Sequence, residues 1–301
     1  MTGNAKRKLR NEINGFVFAM PVILGVLIFT FYPAVQSLFY AFTNFDGAYK
    51  MDWVGFNNFR LMFRDTETAL VFKNTFLYAL ISVPVNLLLG YFLALIANFK
   101  VKGISLFRTL FYLPVIIPSV ASALVFKDLF ATSSVGVLNR ILTGMGLQAY
   151  PFFDRSESAM FSLIYMNSWT IGGGMIIWLA AFKNIPVTLY ESARLDGASP
   201  FRQLISITIP MSTPMIFYNL VTGIIGALQA NQTMILFGGN GAVGFGPDKS
   251  LYFVCVKIYN TAFRDFHQGY ASAYAWFLFM IIAVLTAVIF KTNKWVYYGD
   301  D

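Results

Sequence analysis

The chain has 301 residues, of which 57% are hydrophobic, 18% aromatic and only 12% charged, about half the charged fraction of an ordinary soluble domain. That balance excludes water as the main solvent. The formal charge of +8 does not point to nucleic acid, because the basic residues lie between apolar runs instead of along one face, and the lone Cys255 excludes an internal disulfide and any multi-cysteine metal site.

A lipid core demands about 20 predominantly apolar residues per helix, since hydrocarbon offers no partner to an open backbone amide. Six runs meet the demand, at 16–42, 74–99, 109–126, 159–182, 214–237 and 269–290, and none contains Asp, Glu, Lys or Arg. Ahead of the first stands Lys6-Arg7-Lys8-Leu9-Arg10. This start resembles a secretory signal, but the apolar run is too long and lacks a small-residue cleavage site, so it reads as an uncleaved first helix. With the basic end inside, six crossings return the C-terminus to the cytoplasm. The segments then placed inside carry twelve basic residues against five acidic ones, whereas the outside is nearly balanced, as orientation by internal positive charge requires.

The first external connection, 44–73, is long. Trp53, Phe56, Phe59, Leu61, Met62 and Phe63 surround Asn57-Asn58 there, which predicts a turn and a short amphipathic helix at the outer interface, either a structural cap or a substrate contact. Pro114 and Pro118 break the third span, predicting a kinked helix. A second long external connection, 127–158, mixes aromatic residues, Gly and charge and reads as folded. Within the fourth span, Gly172-Gly173-Gly174 predicts close packing or a bend.

Polar side chains inside lipid are costly and turn toward the bundle or a pore. Candidates for the substrate path are Asn167 and Trp169, with Ser168 between them, in the fourth span, and Asn219, Gln229, Asn231 and Gln232, followed by Thr233, in the fifth. An uncharged polar solute would call for such hydrogen-bonding groups and aromatic faces, but interhelical hydrogen bonding uses the same residues. Both uses stay open.

Between the fourth and fifth spans, residues 183–212 read KNIPVTLYESARLDGASPFRQLISITIPMS. Tyr190 to Leu195 can form a short helix, Gly197 permits a sharp turn, and Pro200 suits the first turn of a second helix capped by Ser199. The result is a helix-Gly-helix elbow, suited equally to docking on another protein or to capping the bundle.

Three other features carry no site. The string 239–244 fits G-x-G-x-x-G but follows a membrane helix without a strand-turn-helix unit, and no G-x-x-x-x-G-K-[ST] occurs, so nucleotide binding belongs elsewhere. Asn231-Gln232-Thr233 fits a glycosylation sequon, but inside an apolar span. His267 is the only histidine, which leaves triads and histidine metal sites without a second member, and the spans hold no paired carboxylates for proton or sodium coupling.

Glu191-Ser192-Ala193, then Gly197 after three intervening residues, then Ile207-Thr208-Ile209-Pro210 after nine more, resemble the EAA loop of binding-protein-dependent ABC importer permeases, E-A-A, three residues, G, nine residues, I-x-L-P. Ser192 and Ile209 depart from it modestly in size. Trp53 to Phe59, Asn74-Thr75, Phe107 to Pro114, Gly238-Gly239 and Gly269 to Ala273 are similar to further stretches of the carbohydrate-uptake members related to the maltose and glycerol-3-phosphate permeases. The glycine turn departs from their G-G-P form.

The resemblance implies an all-α membrane protein with the six transmembrane helices of the type I ABC importer permease fold and both termini cytoplasmic. It further implies a second homologous permease subunit, two ATP-binding cassette ATPase subunits that hold ATP and Mg, an extracytoplasmic solute-binding protein, a carbohydrate substrate, and a bacterial or archaeal cell membrane. No cofactor is expected on this chain, and no nucleic acid partner. Glu191 and Gly197 are the implied anchor and bend of the ATPase-coupling loop, with Ser192, Ala193, Arg194 and Asp196 beside them. The expected organisation is a cytoplasmic segment at 1–15, the permease domain at 16–291 including the loop at 183–212, and a cytoplasmic tail at 292–301. A self-contained secondary carrier or channel is the alternative from another class, and it has no use for the elbow.

Overall fold

The computed structural model describes residues 3–99, 101–132, 136–238 and 244–297, with the backbone alone for 3–11 and 13. Lys100, Gly239 of the glycine turn, most of the string at 239–244 and the end of the tail lie outside the described residues. Fifteen α-helices follow one another among the described residues: α1 Gly3–Val26, α2 Tyr32–Tyr40, α3 Asn57–Arg64, α4 Thr66–Ala97, α5 Ile104–Ile116, α6 Ser119–Leu129, α7 Val137–Gly144, α8 Ser156–Ser168, α9 Gly172–Lys183, α10 Val187–Leu195, α11 Pro200–Gln203, α12 Ile209–Leu228, α13 Thr233–Phe237, α14 Val254–Tyr259 and α15 Gln268–Lys291. Among the described residues four stretches, Asn14–Tyr40, Thr66–Ala97, Pro200–Phe237 and Gln268–Lys291, are long and apolar enough to cross a membrane, and the number rises to six if each of two bent helix pairs is one span.

The chain divides into two compact units, the first comprising residues 1–65 and 258–277. Between α1 and α2 a π turn, Leu27–Phe31, closes with Tyr32 N–H on the Leu27 carbonyl. It stands just ahead of Pro33, which has no N–H to give the helical ladder. Beyond α2, Phe42 stacks on Trp53 with ring centres 5.5 Å apart and meets Phe56 edge-on at 5.2 Å. Buried Asn58 fixes this corner by donating to the Ala41 and Thr43 carbonyls at 2.9 and 2.8 Å. The amphipathic helix expected after Trp53 is α3. Asp46, on the exposed turn before it, is held below the usual carboxylate range by the Ala48 amide and those of Tyr49 and Lys50. Asp65 accepts hydrogen bonds from Tyr270 and Tyr274, each at 3.3 Å.

The second unit, residues 66–257 and 278–301, is centred on α4, α9 and α12. Its densest knot holds Ala94, Ala97, Met175, Trp178, Leu179, Phe182 and Ile185. Tyr91 meets both Trp178 and Phe182 edge-on, at 5.0 and 5.2 Å, an arrangement that adds about 1 kcal/mol per pair to the burial of the rings. At the end of α4, Arg108 places Nε and Nη2 on the Ala97 carbonyl at 3.0 and 2.7 Å, satisfying an acceptor that the helix leaves open. Near the start of α4, Asn74 donates to the carbonyls of Lys249 and Tyr252, Thr75 accepts from Val254 N–H, and Glu67 pairs with Lys249 and Lys257 at 2.5 and 2.7 Å. These contacts fasten the segment 249–257 along the helix.

The third and fifth spans differ from the kinked and continuous helices expected for them, whereas the fourth bends beside Gly172-Gly173-Gly174, where close packing or a bend was expected. The third is two helices, α5 and α6, that meet at 99°. Pro118 forces Ile117 into extended backbone, with ψ 129°, and the helix stops there instead of bending at Pro114. The fourth is α8 and α9, meeting at 52° across residues 169–171. The fifth ends as a helix at Leu228, short of the expected continuous run to 237, and resumes only as the five-residue α13.

Candidate functional site

The two later breaks open onto one cavity. Trp169, Thr170 and Ile171 leave the α-ladder and bond three residues back, with Thr170 N–H on Asn167 and Ile171 N–H on Ser168. Gln229 and Ala230 do the same at the end of α12. Unpaired or loosely paired backbone is tolerated at membrane depth only against protein or a wet cavity. A cavity of about 440 Å³ lies here, and its lining includes Asn167, Thr170 and Ile171 from the first break and Ala230 and Gln232 from the second. α4 contributes Tyr78, Ser82, Asn86 and Gly90, α9 contributes Trp178, and α12 contributes Asn219 and Thr222.

Its wall is polar and uncharged. Asn167 donates to the Tyr78 hydroxyl at 2.7 Å, Ser168 donates to Asn86 Oδ1 at 2.9 Å, and Asn219 donates to the Met215 carbonyl at 2.8 Å. Thr170 and Thr222 give their hydroxyl protons to the carbonyls of Asn167 and Tyr218. No Asp, Glu, Lys, Arg or His is among the lining residues. Trp178, 1% exposed, seals one side, its Nε1 lying 3.4 Å from the point where a side chain on Gly90 would begin.

Of the six candidate path residues, the structure brings Asn167, Asn219 and Gln232 to this cavity. Trp169 lies elsewhere, edge-on to Phe126 at 5.9 Å in a separate apolar hollow with Tyr165, and Gln229 and Asn231 are exposed outside the cavity lining. Tyr78, Asn86, Thr170, Trp178 and Thr222 also line the cavity and were not singled out by sequence reasoning. Asn86 carried a readable signal as a carboxamide inside an apolar span; Trp178 carried none, since a tryptophan there is equally a packing residue.

The elbow is built as its residues dictate. α10 ends in a Schellman motif, with Gly197 N–H on the Arg194 carbonyl and Ala198 N–H on that of Ala193, at 3.0 and 2.8 Å. The motif needs a left-handed residue, and Gly197 has φ +75°. Ser199 then caps the second arm by accepting from Arg202 N–H at 3.3 Å, with Pro200 in its first turn. Tyr190 and Thr208 join the arms through their hydroxyls at 2.9 Å. Glu191, Ser192, Arg194, Asp196 and Gly197 are exposed and Ala193 is half-buried. Leu195 is 90% exposed at the tip. The second arm continues without a break through α11 and a π turn at Leu204–Thr208 into α12, so a single rod of about 40 Å connects the elbow to the cavity wall.

Residues 86–296 match the family described as binding-protein-dependent transport system inner membrane component. The chain belongs to that family. It is 37% identical to the probable ABC transporter permease protein YesP of Bacillus subtilis (strain 168), over 99% of this chain and 98% of that one. It is also 28% identical to the multiple sugar-binding transport system permease protein MsmF of Streptococcus mutans serotype c, over 96% and 98% of the two chains. A chain of the bacterial alginate ABC transporter, solved in complex with alginate pentasaccharide-bound periplasmic protein, superposes with a TM-score of 0.83 at 24% identity, covering 96% of each. That likeness is one of fold, the type I permease fold. This permease is therefore a multi-pass membrane subunit of a solute-binding-protein-dependent importer, and the secondary-carrier alternative gives way.

Proposed function

We propose that this permease forms half of the pathway of an ATP-driven importer for a sugar or oligosaccharide in a bacterial cell membrane, with a second, homologous permease as the other half. One observation carries the reading. A single rod connects an exposed bent elbow to a cavity whose wall is polar, uncharged and built where two spans break. Carboxamides, hydroxyls and an indole are the groups that hold saccharides without charge. The similarity to the multiple sugar-binding transport system permease protein MsmF supports the same substrate class.

The elbow is the handle for two ATPase subunits that hold ATP and Mg on the cytoplasmic side. Glu191 supplies a charged anchor, Gly197 the bend, and Leu195 the apolar tip that a cleft in the ATPase covers. Closure of the ATPase pair then moves the rod as a rigid lever and changes access to the cavity. The test is reconstitution of the full chain with its partner subunits in liposomes. Oligosaccharide uptake should require the ATPases, ATP and the binding protein together. Uptake by this chain alone, without nucleotide, would overturn the reading.

A further inference from the structure

The rod that joins the elbow to the cavity wall carries a weak point of its own. Pro210 and Pro214 both lie in α12. Pro214 has no N–H, so the Pro210 carbonyl lacks the donor that a continuous helix would supply, and Pro210 in turn gives nothing to the turn before it. Just ahead, the ladder has already widened, with Ile209 N–H on the Leu204 carbonyl five residues back. Open ladders at proline are where long helices kink. A lever that bends there loses the motion put in at its end.

A side chain closes the gap. Buried Thr213 donates its hydroxyl proton to the Pro210 carbonyl at 2.6 Å, and the same oxygen accepts Tyr297 N–H at 2.8 Å from a position 84 residues further on. A hydroxyl can do both, since it carries one proton and two lone pairs. The chain reaches this contact through a tight turn at Asn293–Trp295, directly after α15. Val296 is buried beside it, and Trp295 and Phe290 both meet the ring of Phe217, one turn along α12 from Thr213, at 6.2 and 5.0 Å. From α4, the Tyr91 hydroxyl stands 3.1 Å from that of Ser212. We propose that Thr213 is a positioning residue for transport: its hydroxyl splints the rod at Pro214 and ties the segment after the last span to it, so that α12 and the end of α15 turn together when the elbow is driven. The inference rests on the importer reading and adds a part to its lever. Two hydrogen bonds at one oxygen are too few to hold the bundle together, but they sit where the rod has lost a bond of its own.

The importer is reconstituted with its partner subunits and offered a mixed pool of di- to tetrasaccharides, with Thr213→Val and Thr213→Ser beside the parent. Valine keeps the shape and neither bond; serine keeps both. Thr213→Val should speed amide exchange at Tyr297 and raise the ATP hydrolysed per sugar moved, each about fivefold, the change that losing one net hydrogen bond makes in a two-state equilibrium. Thr213→Ser should match the parent in both. Val296→Asp expels the segment while leaving Thr213 and α12 untouched, and should raise the ratio in the same way even where valine at 213 prevents insertion. A parental ratio in either the Val or the Asp variant, unchanged exchange at Tyr297 in the Val variant, or serine behaving as valine would overturn the proposal. Uptake by the parent without ATP would overturn the importer reading instead.

Discussion

A methyl group placed on Gly172 would stand 1.7 Å from the carbonyl oxygen of Phe111, so α5 and α9 touch backbone to backbone. Of the three consecutive glycines, only this one has such a neighbour. A methyl on Gly173 would reach Val115 at 3.5 Å, an ordinary contact, and one on Gly174 would meet nothing. Gly172→Ala should therefore force the helices apart and lower the stability of the purified chain by about 2 kcal/mol, whereas Gly173→Ala should change it by less than about 0.5 kcal/mol. Thermal unfolding in detergent ranks the pair; equal effects would disprove the contact.

At the elbow the penalty is conformational, because a methyl on Gly197 meets nothing within 4 Å. Alanine in that left-handed geometry costs about 1 kcal/mol, and asparagine less. Gly197→Val should raise the ATP hydrolysed per sugar moved in the reconstituted importer, with Gly197→Asn close to the parent and membrane insertion normal in both. A Val variant with the parental ratio would show that the bend does not transmit force.

Tyr190 and Thr208 bolt the two arms of the elbow together at 2.9 Å. In a double-mutant cycle, Tyr190→Phe and Thr208→Val should be non-additive by about 1 kcal/mol, read as unfolding of the purified chain. Additive losses would mean that the hydroxyls do not act as a pair.

Two anchors hold the segment 249–257, and they differ in worth. Asn74 is 7% exposed and bonds two carbonyls, so Asn74→Leu leaves both without that donor and should cost about 2 kcal/mol. Glu67 is more exposed and its partner Lys249 more so; Glu67→Gln should cost at most about 1 kcal/mol and less at high salt. Amide exchange at Tyr252 and Val254 should accelerate more in the Asn74 variant. The reverse order would make the ion pairs the stronger clasp.

The apolar runs and the elbow could be read from the residues because each rests on a local rule: twenty apolar positions against lipid, or Gly197 ahead of Ser199 and Pro200. The breaks could be read only in part. Pro118 announces the end of α5 and Gly172-Gly173-Gly174 flag the joint between α8 and α9, whereas the end of α12 at Leu228 carries no comparable local breaker. The polar run Gln229 to Thr233 marked the right place without saying which side chain turns inward. Gln232 reaches the cavity and its neighbour Asn231 does not, a difference set by the backbone after Leu228.

The interruptions after Ser168 and Leu228 divide labour within the wall. A continuous helix shifts only as a whole, since bending it breaks its own ladder; a rod that ends at a joint can swing its far end while every turn on either side stays intact. Part of the cavity lining, Thr170, Ile171, Ala230 and Gln232, is mounted at the joints, so on the proposed coupling a small rotation begun at the elbow would change the shape of the chamber without unwinding a turn of α12.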